Sequence, residues 1–312
     1  MKNIRVGICT KCKDELNIIE FMEHYYNLGF SYIFFVDDNS NPSIKRIIGE
    51  NFKDKYKIVV TDFSKNSKAF GNIFTKIINE NLNEIKNNVD YLFNIDLDEY
   101  LVLKNPIFQN NIQNVIKYYE PFDVLKINWL IFGNNNIKSA NCSTLKDKFT
   151  RSSIIVRPLG IKSLIKLEAY NNKVITSHTF SLKSNSIVKN VFNNIELNNP
   201  VSTLKGIKKD DTNLYLAHYI TQTTERFITR RFIQHRKCKL EERIFPLYKD
   251  KYTIEEIQKI FKNNSTNLID YIHDNTPLNN ELLKFSEGLL WMKNFFNSHN
   301  KNIIDNFDLF EN

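Results

Sequence analysis

Residues 91–103 read Tyr-Leu-Phe-Asn-Ile-Asp-Leu-Asp-Glu-Tyr-Leu-Val-Leu, an apolar run that three acidic residues interrupt. A short apolar run bounded by polar residues predicts a buried β-strand. Asp96, Asp98 and Glu99 stand at the carboxyl end of that strand, next to further apolar residues. Because an unpaired charge beside a buried region is costly, the pattern predicts a metal ion or a cationic partner here. The alternative for a bare Asp-x-Asp pattern is a solvated acidic turn.

The first hundred residues alternate short apolar runs with amphipathic stretches. Strands are predicted at 5–11, 32–36, 57–61 and 91–95, and helices at 14–28 and 69–85, with a short helix that Pro42 opens between them. This alternation predicts an α/β fold with a mainly parallel central sheet. Such sheets bind ligands at the carboxyl ends of their strands. Acidic groups follow three of the predicted strands: Asp37 with Asp38, Asp62, and Asp96 with Asp98 and Glu99.

The pattern changes after Pro106, where strands become shorter and less regular. Further strands are predicted at 124–132, 153–156, 164–166, 174–180 and 214–220. A basic amphipathic helix at 224–243 follows, and the remainder is helical in character. We therefore expect one α/β domain over residues 1–240 and a helical C-terminal extension over residues 241–312.

The chain has 312 residues, of which 42% are hydrophobic and 13% aromatic, and this composition excludes a disordered chain. No apolar run approaches the roughly 20 residues of a membrane helix, and the first residues lack the apolar core of a signal peptide. Cys9 and Cys12 form one Cys-x-x-Cys pair, whereas Cys142 and Cys238 stand alone. The spacing favours reduced thiols over a disulfide framework or a zinc site, so we expect a cytoplasmic protein.

The formal net charge of +8 is unevenly distributed along the chain. Residues 151–250 hold 18 basic and 8 acidic side chains, among them Arg226 and Arg230 of the basic helix 224–243. Such an excess suits nucleic acid, a membrane surface or a phosphorylated substrate, and charge alone does not choose among them. The helix also carries an apolar face, so a surface helix with a solvated charged side is an equal alternative. His218 precedes this helix and is placed to face an anion or a metal ion.

Other candidate residues also lie beside predicted strand ends. The stretch Cys9–Glu15 offers backbone amides, lysines and acids after the first strand. The stretch Asp37–Ser40 either binds a ribose or caps the helix that follows. Trp129, Phe132 and Gly133 suit a platform for a sugar ring, because aromatic faces stack on apolar C–H surfaces. Two core aromatics in a strand are an equally good interpretation of that pattern.

Eight short motifs follow one another between residues 3 and 240. They are Lys13-Asp14-Glu15; Glu23-His24-Tyr25 with Leu28-Gly29; Asp37-Asp38-Asn39-Ser40; Asp96-x-Asp98-Glu99-Tyr100-Leu101; Asn128-Trp129-x-x-Phe132-Gly133; Asp147-Lys148-Phe149-Thr150; Ser177-His178; and His218-Tyr219 with Glu225-Arg226-Phe227. In this order they resemble the glycosyltransferases of the GT-A fold, a Rossmann-like nucleotide-diphospho-sugar transferase fold, in the family 2-like and family 92-like group. One departure is Asp14, where the family has an asparagine.

The resemblance implies a nucleotide-sugar donor, usually a UDP-sugar, and a Mn²⁺ or Mg²⁺ ion held by Asp96, Asp98 and His218. The donor-binding residues that it implies are Thr10, Lys13, Glu15, Asp38, Asp96, Arg226 and Arg230. A glycan or glycolipid would be the acceptor, and Trp129, Phe132, Gly133 and His178 are assigned to it. This group is expected to invert the anomeric centre, so that a carboxylate deprotonates the acceptor hydroxyl. The candidates for that base are Asp147 and Glu168.

Two other functions remain as alternatives. A sugar nucleotidyltransferase is also an α/β protein with acidic metal ligands, but it needs a glycine-rich phosphate loop that residues 6–9 do not supply. A nucleic-acid-binding module suits the basic segment, but it leaves the acidic turn unexplained. We therefore expect a metal-dependent glycosyltransferase that binds no nucleic acid, and we consider a peripheral membrane contact through the basic helix.

Overall fold

The computed structural model of the protein describes residues 4–61, 70–135, 137, 143–153, 157–176, 178–198, 207–220, 222–223 and 226. The chain divides into two compact units, Met1–Ile131 with Ile154–His218 and Phe132–Ser153 with Tyr219–Asn312. The predicted boundary at residue 240 and the C-terminal extension lie outside the described residues, as does the basic helix apart from Arg226. These three expectations stay predictions.

The first unit contains the elements that position the candidate site. Its described strands are β1 (Val6–Cys12), β2 (Tyr32–Asp37), β3 (Tyr56–Val60), β4 (Tyr91–Asn94), β5 (Glu99–Leu103), β6 (Val124–Ile131), β7 (Arg157–Lys166), β8 (Tyr170–Ile175), β9 (Phe180–Leu182), β10 (Val188–Asn190) and β11 (Leu214–His218). Its described helices are α1 (Ile18–Asn27), α2 (Ile44–Ile48), α3 (Phe70–Glu80), α4 (Leu82–Asn88) and α5 (Ile112–Tyr119). None of the described helices combines the length and the hydropathy needed to cross a membrane.

One large sheet forms the centre of this unit, in the strand order β3-β2-β1-β4-β7-β6-β11-β5, with β10 pairing beside β6. The pairs β1–β2, β1–β4, β2–β3, β6–β10 and β6–β11 are parallel. The pairs β4–β7, β6–β7 and β5–β11 are antiparallel. The predicted α/β class with a mainly parallel sheet is therefore confirmed in its coarse form, and the sheet is mixed.

The connection between β4 and β5 requires the sheet to curl. These strands are consecutive in the chain, yet β7, β6 and β11 lie between them in the sheet. In a flat sheet four strand spacings would separate β4 from β5 by roughly 19 Å. The chain from Asn94 to Glu99 reaches at most about 17 Å when fully extended, and here it contains a turn. The acidic turn therefore bridges two parts of a curled sheet.

Helices cover the sheet with apolar faces. On one face, Phe74 and Ile78 of α3 belong to the same buried cluster as Phe34 and Leu92 of the sheet. Burying a large apolar side chain of this kind contributes about 1.5–3 kcal/mol relative to leaving it exposed. Helix α1 buries Phe21, whose ring lies 6.0 Å from that of Tyr100 in β5, as well as Tyr25. The helix therefore docks beside the strand that follows the acidic turn.

Four details differ from the sequence prediction. The predicted helix 69–85 consists of two helices, because the helix is interrupted at Asn81. The side chain of Asn81 donates to the Ile77 carbonyl. Helix α5 was not predicted, although its buried residues have helical spacing. Ser43, rather than Pro42, begins α2 as its N-cap. The predicted strand 174–180 spans the end of β8, a turn and the start of β9.

Candidate active site

The acidic turn is closed by the residues that form it. The Glu99 amide donates to the Asp96 carbonyl at 3.1 Å, and the Asp96 amide donates to Oε2 of Glu99 at 2.9 Å. The third acid of the motif therefore satisfies a backbone donor inside the turn, as a capping carboxylate does at a helix start.

Helix α1 fixes the backbone on both sides of Asp98. Asn17 donates to the Leu97 carbonyl at 2.5 Å. The Tyr25 hydroxyl donates to the Glu99 carbonyl at 2.8 Å and accepts from the Leu101 amide at 3.1 Å. His24 contacts the Leu101 carbonyl at 2.9 Å. The His-Tyr motif of this helix therefore acts on the main chain of the acidic turn and β5.

Lys162 is the cationic partner that the acidic pattern called for. Its side chain has no exposed surface, and its Nζ lies 2.7 Å from Oδ2 of Asp96 and 3.4 Å from Oε2 of Glu99. Lys11 adds a second ammonium group 3.6 Å from Oδ1 of Asp96. Sequence reasoning missed Lys162, whereas Lys11 belongs to the stretch Cys9–Glu15 that it singled out after the first strand. The available signal for Lys162 was a lysine within an apolar strand, two residues before Leu164, which is buried on the same strand face.

These contacts set the charge of the cluster. Burial would raise the pKa of the Asp96 carboxyl, but the ammonium groups of Lys11 and Lys162 outweigh it and hold that pKa below its usual value. Burial raises the pKa of Glu99 to about 8, with the charges of Asp96 and Asp98 acting in the same direction against Lys162. Burial would lower the pKa of Lys162, but the neighbouring carboxylates raise it, so Lys162 remains charged.

Asp98 and His218 form the part of the site that suits a metal ion. Strand β11 pairs His218 with Glu99, and Nε2 of His218 lies 3.6 Å from Oδ2 of Asp98 and 4.0 Å from Oε1 of Glu99. That Glu99 oxygen is buried and accepts no hydrogen bond from the described residues. Burial lowers the pKa of His218, so the ring is neutral and has a lone pair to offer.

The three predicted metal ligands are therefore only partly brought together, because Asp96 is engaged by two lysines. Among the described residues no group of three or more His, Cys, Asp and Glu side chains is arranged to hold a metal ion. Mg²⁺ is usually held by one or two carboxylates, with water and substrate phosphates completing the coordination. The Asp98–His218 pair fits such an open site by its chemistry, and it does not form a closed cage.

Trp129 of β6 packs against two histidine rings beside the Asp98–His218 pair. Its ring lies 4.5 Å from the His218 ring and 5.4 Å from the His178 ring, and Nζ of Lys162 lies 5.9 Å from its centroid. Gly160 of β7 allows the indole to lie against the strand, because a Cβ there would be 2.1 Å from Trp129 Cε3. Two predicted acceptor residues, Trp129 and His178, are thus brought together.

The loops after β1 and β2 are tied to each other. Nζ of Lys13 donates to the Asp38 and Asn39 carbonyls at 2.6 and 3.1 Å. Asp14 accepts from the Asn41 amide at 2.8 Å, so the acid that replaces the family's asparagine has a structural contact. Glu15 is buried beside these loops.

Thr10 is a predicted donor-binding residue near the end of β1, and that assignment stays a prediction. It is completely buried, and side chains alternate between the two faces of a strand. The residue of β1 that approaches Asp96 is its neighbour Lys11. Thr10 therefore lies on the opposite strand face from that contact.

Glu168 is one of the two predicted candidates for the base, and the structure gives its position. It follows β7, whose last residue Lys166 pairs with Tyr91 at the amino end of β4. Glu168 is 83% exposed there and pairs with Lys166 at 3.1 Å. Lys162 reaches the acidic turn at the other end, and four residues of strand span roughly 13 Å. The structure thus places Glu168 at the edge of the sheet opposite the acidic turn.

The remaining predicted residues belong to the second unit. The Phe132 ring packs 4.8 Å from that of Tyr219, and the Gly133 amide donates to the Arg151 carbonyl at 3.1 Å. Asp147 is exposed in a turn. The Arg226 amide donates to the Thr223 hydroxyl at 3.0 Å. Arg230 lies outside the described residues, so all five assignments stay predictions.

The Cys-x-x-Cys pair is part of the core. Cys9 and Cys12 are free thiols, both buried, and their spacing directs them to opposite faces of β1. Burial raises the pKa of both thiols, so neither has the depressed pKa of a reactive cysteine. The two cannot share one metal ion or form a disulfide from this strand.

The described fold and site define an α/β protein whose charged groups converge at the carboxyl ends of parallel strands, where such proteins bind ligands. A family model described as "Glycosyltransferase family 92" matches residues 6–229. The chain therefore belongs to glycosyltransferase family 92, and the resemblance seen in its motifs is confirmed. No match was found among curated proteins.

Several solved structures are similar to the chain at low identity. HddC from Yersinia pseudotuberculosis has 12% identity and a TM-score of 0.35, covering 60% of this chain and 89% of that one. A 4-diphosphocytidyl-2C-methyl-D-erythritol synthase from Anaerococcus prevotii has 10% identity and a TM-score of 0.30, with 65% and 92% covered. Mouse xyloside xylosyltransferase 1 has 9% identity and a TM-score of 0.25, with 53% and 67% covered. These scores are too low to support an inference about function.

Proposed function

We propose that this protein transfers a sugar from a nucleotide-sugar donor, a UDP-sugar, to a hydroxyl group of a glycan or glycolipid acceptor, with inversion of the anomeric centre. Membership of glycosyltransferase family 92 supports sugar transfer. The observation that carries the finer proposal is the pairing of Asp98 with His218 beside the Asp96–Lys162 ion pair. We also propose a cytoplasmic location, which rests on the cysteine spacing of the sequence.

The diphosphate of the donor would lie at the acidic turn. Asp98 and His218 would hold a Mn²⁺ or Mg²⁺ ion there, and the donor phosphates and water would complete its coordination. When bound, such an ion supplies positive charge to the departing diphosphate. Lys11, whose side chain is about one-third exposed, has an ammonium group at the same place.

Asp96 and Lys162 would fix the geometry of the acidic turn before the donor binds. The buried Lys162 keeps Asp96 ionised and fixes its carboxylate. A preorganised charge cluster stabilises developing charge without reorganising during the reaction. The loops joined by Lys13 and Asp38 lie after β1 and β2, and we propose that they hold the nucleoside.

Trp129 and His178 would then contact the sugar side of the reaction. Trp129 lies next to His218, so a sugar attached to a diphosphate at Asp98 would be placed near the indole. The remaining predicted contacts at Phe132, Gly133, Arg226 and Arg230 are retained as predictions of this proposal.

The test is a donor panel measured with and without Mn²⁺. We expect UDP and UDP-sugars to raise the melting temperature in a metal-dependent manner and UDP to be released from one donor of the panel. Asp98→Asn should lower the release rate at least 100-fold and remove the metal-dependent shift. Glu168→Gln is the matched control, because this exposed acid lies at the other edge of the sheet, and it should behave as wild type.

Three results would contradict the proposal. If Asp98→Asn kept both the metal-dependent shift and UDP release, the metal assignment would be wrong. If pyrophosphate were released from a nucleoside triphosphate and a sugar phosphate, the protein would be a nucleotidyltransferase. Oligonucleotide binding with a steep salt dependence and no donor shift would indicate a nucleic-acid-binding module.

A further inference from the structure

The turn between β8 and β9 places His178 at the carboxyl edge of the sheet. Asn94, the last residue of β4, donates to the Thr176 carbonyl at 2.6 Å. Ser163 of β7 donates to the His178 carbonyl at 2.6 Å. Inside the turn, the Thr176 hydroxyl accepts from the His178 and Thr179 amides at 3.2 and 2.7 Å. Two strands of the sheet thus hold the backbone of a residue that the sequence predicted to lie in a strand.

The imidazole of His178 is fixed as well. Its Nδ1 lies 2.8 Å from the Ile161 carbonyl. A carbonyl oxygen only accepts, so Nδ1 must carry the proton and Nε2 must carry the lone pair. No described residue makes a hydrogen bond to Nε2, and the side chain is only partly buried. Orientation of one ring nitrogen by a hydrogen bond, with the other left as an acceptor, is the arrangement of a general base.

The charged groups that act on His178 keep the ring neutral. Burial lowers the pKa of His178, and the positive charges of Lys162 and Lys11 lower it further. Asp96 and the hydrogen bond to Ile161 act in the opposite direction and do not outweigh them. The unprotonated ring is therefore the form present at neutral pH.

The position of His178 relative to the Asp98–His218 pair suits inversion. The Trp129 ring lies next to both histidine rings, 5.4 Å from that of His178 and 4.5 Å from that of His218. In an inverting displacement the base and the leaving group stand on opposite sides of the sugar, and inverting glycosidases keep their two carboxyl groups about 6.5–9.5 Å apart for this reason. His178 and His218 each lie next to the Trp129 ring, so the proposal places the sugar beside the indole, with His178 on the acceptor side.

The geometry points to His178 as the general base that removes the proton from the acceptor hydroxyl. This inference rests on the proposed function. Nε2 takes the hydroxyl proton as the acceptor oxygen bonds to the anomeric carbon. The bond from that carbon to the diphosphate oxygen breaks, and its electron pair leaves with the nucleoside diphosphate. The imidazolium then returns its proton to water. Neither Asp147 nor Glu168 is needed for this step.

The experiment compares His178→Asn, His178→Ala and wild type in the full chain. Asparagine keeps a donor for the Ile161 carbonyl but cannot take up a proton. The assay is UDP release from UDP-glucose, UDP-galactose and UDP-N-acetylglucosamine, in the presence of p-nitrophenyl glycosides or water. We expect kcat of His178→Asn to fall 100- to 10,000-fold. The KM for the donor should stay within threefold of wild type, and UDP should still raise the melting temperature as it does in wild type.

Two further readouts separate a base from a residue with a merely structural role. Wild-type activity should decline as pH falls below the ordinary histidine pKa of about 6.5, whereas the residual activity of His178→Asn should lack that decline. Added imidazole should raise the activity of His178→Ala at least tenfold. Val174→Ala, a change at an exposed residue of the same hairpin, should match wild type in all assays.

Each other outcome overturns the inference. If His178→Asn stays within threefold of wild type, His178 is not the base, and the proposed function stands. If its activity falls but the pH profile is unchanged and imidazole has no effect, His178 is a positioning residue. If wild type neither releases UDP from any donor nor shows a UDP-dependent melting shift, the proposed function fails and the inference fails with it.

Discussion

Replacing Lys162 by methionine tests whether a buried ammonium group holds the acidic turn in its working geometry. Methionine is similar in length to lysine and carries no charge, so the change removes the ion pairs at 2.7 and 3.4 Å and leaves most of the packing. Two effects limit the loss of stability that this change causes. Asp96 keeps Lys11 at 3.6 Å and is 28% exposed, and Glu99 can take up a proton because its pKa is already about 8.

The expected magnitude follows from these contacts. Removing one partner of a buried ion pair destabilises a protein by about 3–5 kcal/mol. Because Asp96 retains a partner and some solvent, we expect the lower end, about 3 kcal/mol. In a protein of this size that loss lowers the melting temperature by roughly 6 °C. Guanidinium unfolding measures the free energy, and in a Trp291→Phe background the fluorescence of the adjacent Trp129 reports on the site.

Lys126→Met is a matched control on the other face of the same sheet. Lys126 is 1% exposed and pairs with Glu196 at 3.0 Å. Lys126 lies opposite Ser163, whereas Lys162 lies opposite Ile127, so the two lysines point to different faces. We expect both variants to lose stability, but only Lys162→Met to lose the UDP-dependent melting shift.

Specific coupling is measured with Asp96→Asn and the double variant. If Lys162 acts through Asp96, the double variant should recover at least 1 kcal/mol relative to the sum of the two single changes. The reasoning is refuted if Lys162→Met unfolds within 0.5 kcal/mol of wild type, or if Lys126→Met abolishes the UDP-dependent shift to the same extent.

Two further substitutions test the supports of the site. Gly160→Ala should destabilise the protein by about 1–3 kcal/mol through overpacking, because the new Cβ meets Trp129 and displaces its ring. Denaturant unfolding measures this loss of stability. Unchanged Trp129 fluorescence would contradict the displacement of the ring. Tyr25→Phe leaves the buried Leu101 amide and Glu99 carbonyl without their partner, which costs about 1–3 kcal/mol. Thermal unfolding of Tyr25→Phe, with and without UDP, measures this loss of stability. An unchanged melting temperature would show that water replaces the hydroxyl.

The strands and helices of the first hundred residues could be predicted because each follows from local apolar spacing. The acidic turn could be located for the same reason, since its carboxylates directly follow an apolar strand. The pairing of Asp98 with His218 was anticipated only through the family resemblance. Sequence spacing alone does not reveal that β11 returns to pair with β5.

Lys162 shows what local reasoning could not supply. Its role depends on β7 being inserted antiparallel between β4 and β6, which places a lysine from a later part of the chain beside Asp96. The choice of a base is a second case, because sequence reasoning considered only the carboxylates of Asp147 and Glu168. Glu168 was chosen from proximity along the chain, whereas His178 lies at the site because Asn94 and Ser163 hold its turn.

The pairing of β5 with β11 has a consequence for how the protein acquires its activity. Its two strands are separated by roughly 110 residues along the chain, and contacts of such long range form late because closing a large loop is entropically unfavourable. The pairing of β1 with β2 needs far less of the chain. During refolding, circular dichroism should therefore recover before UDP binding does. A preparation with native secondary structure can still lack the site, so ligand binding is the better measure of correct folding.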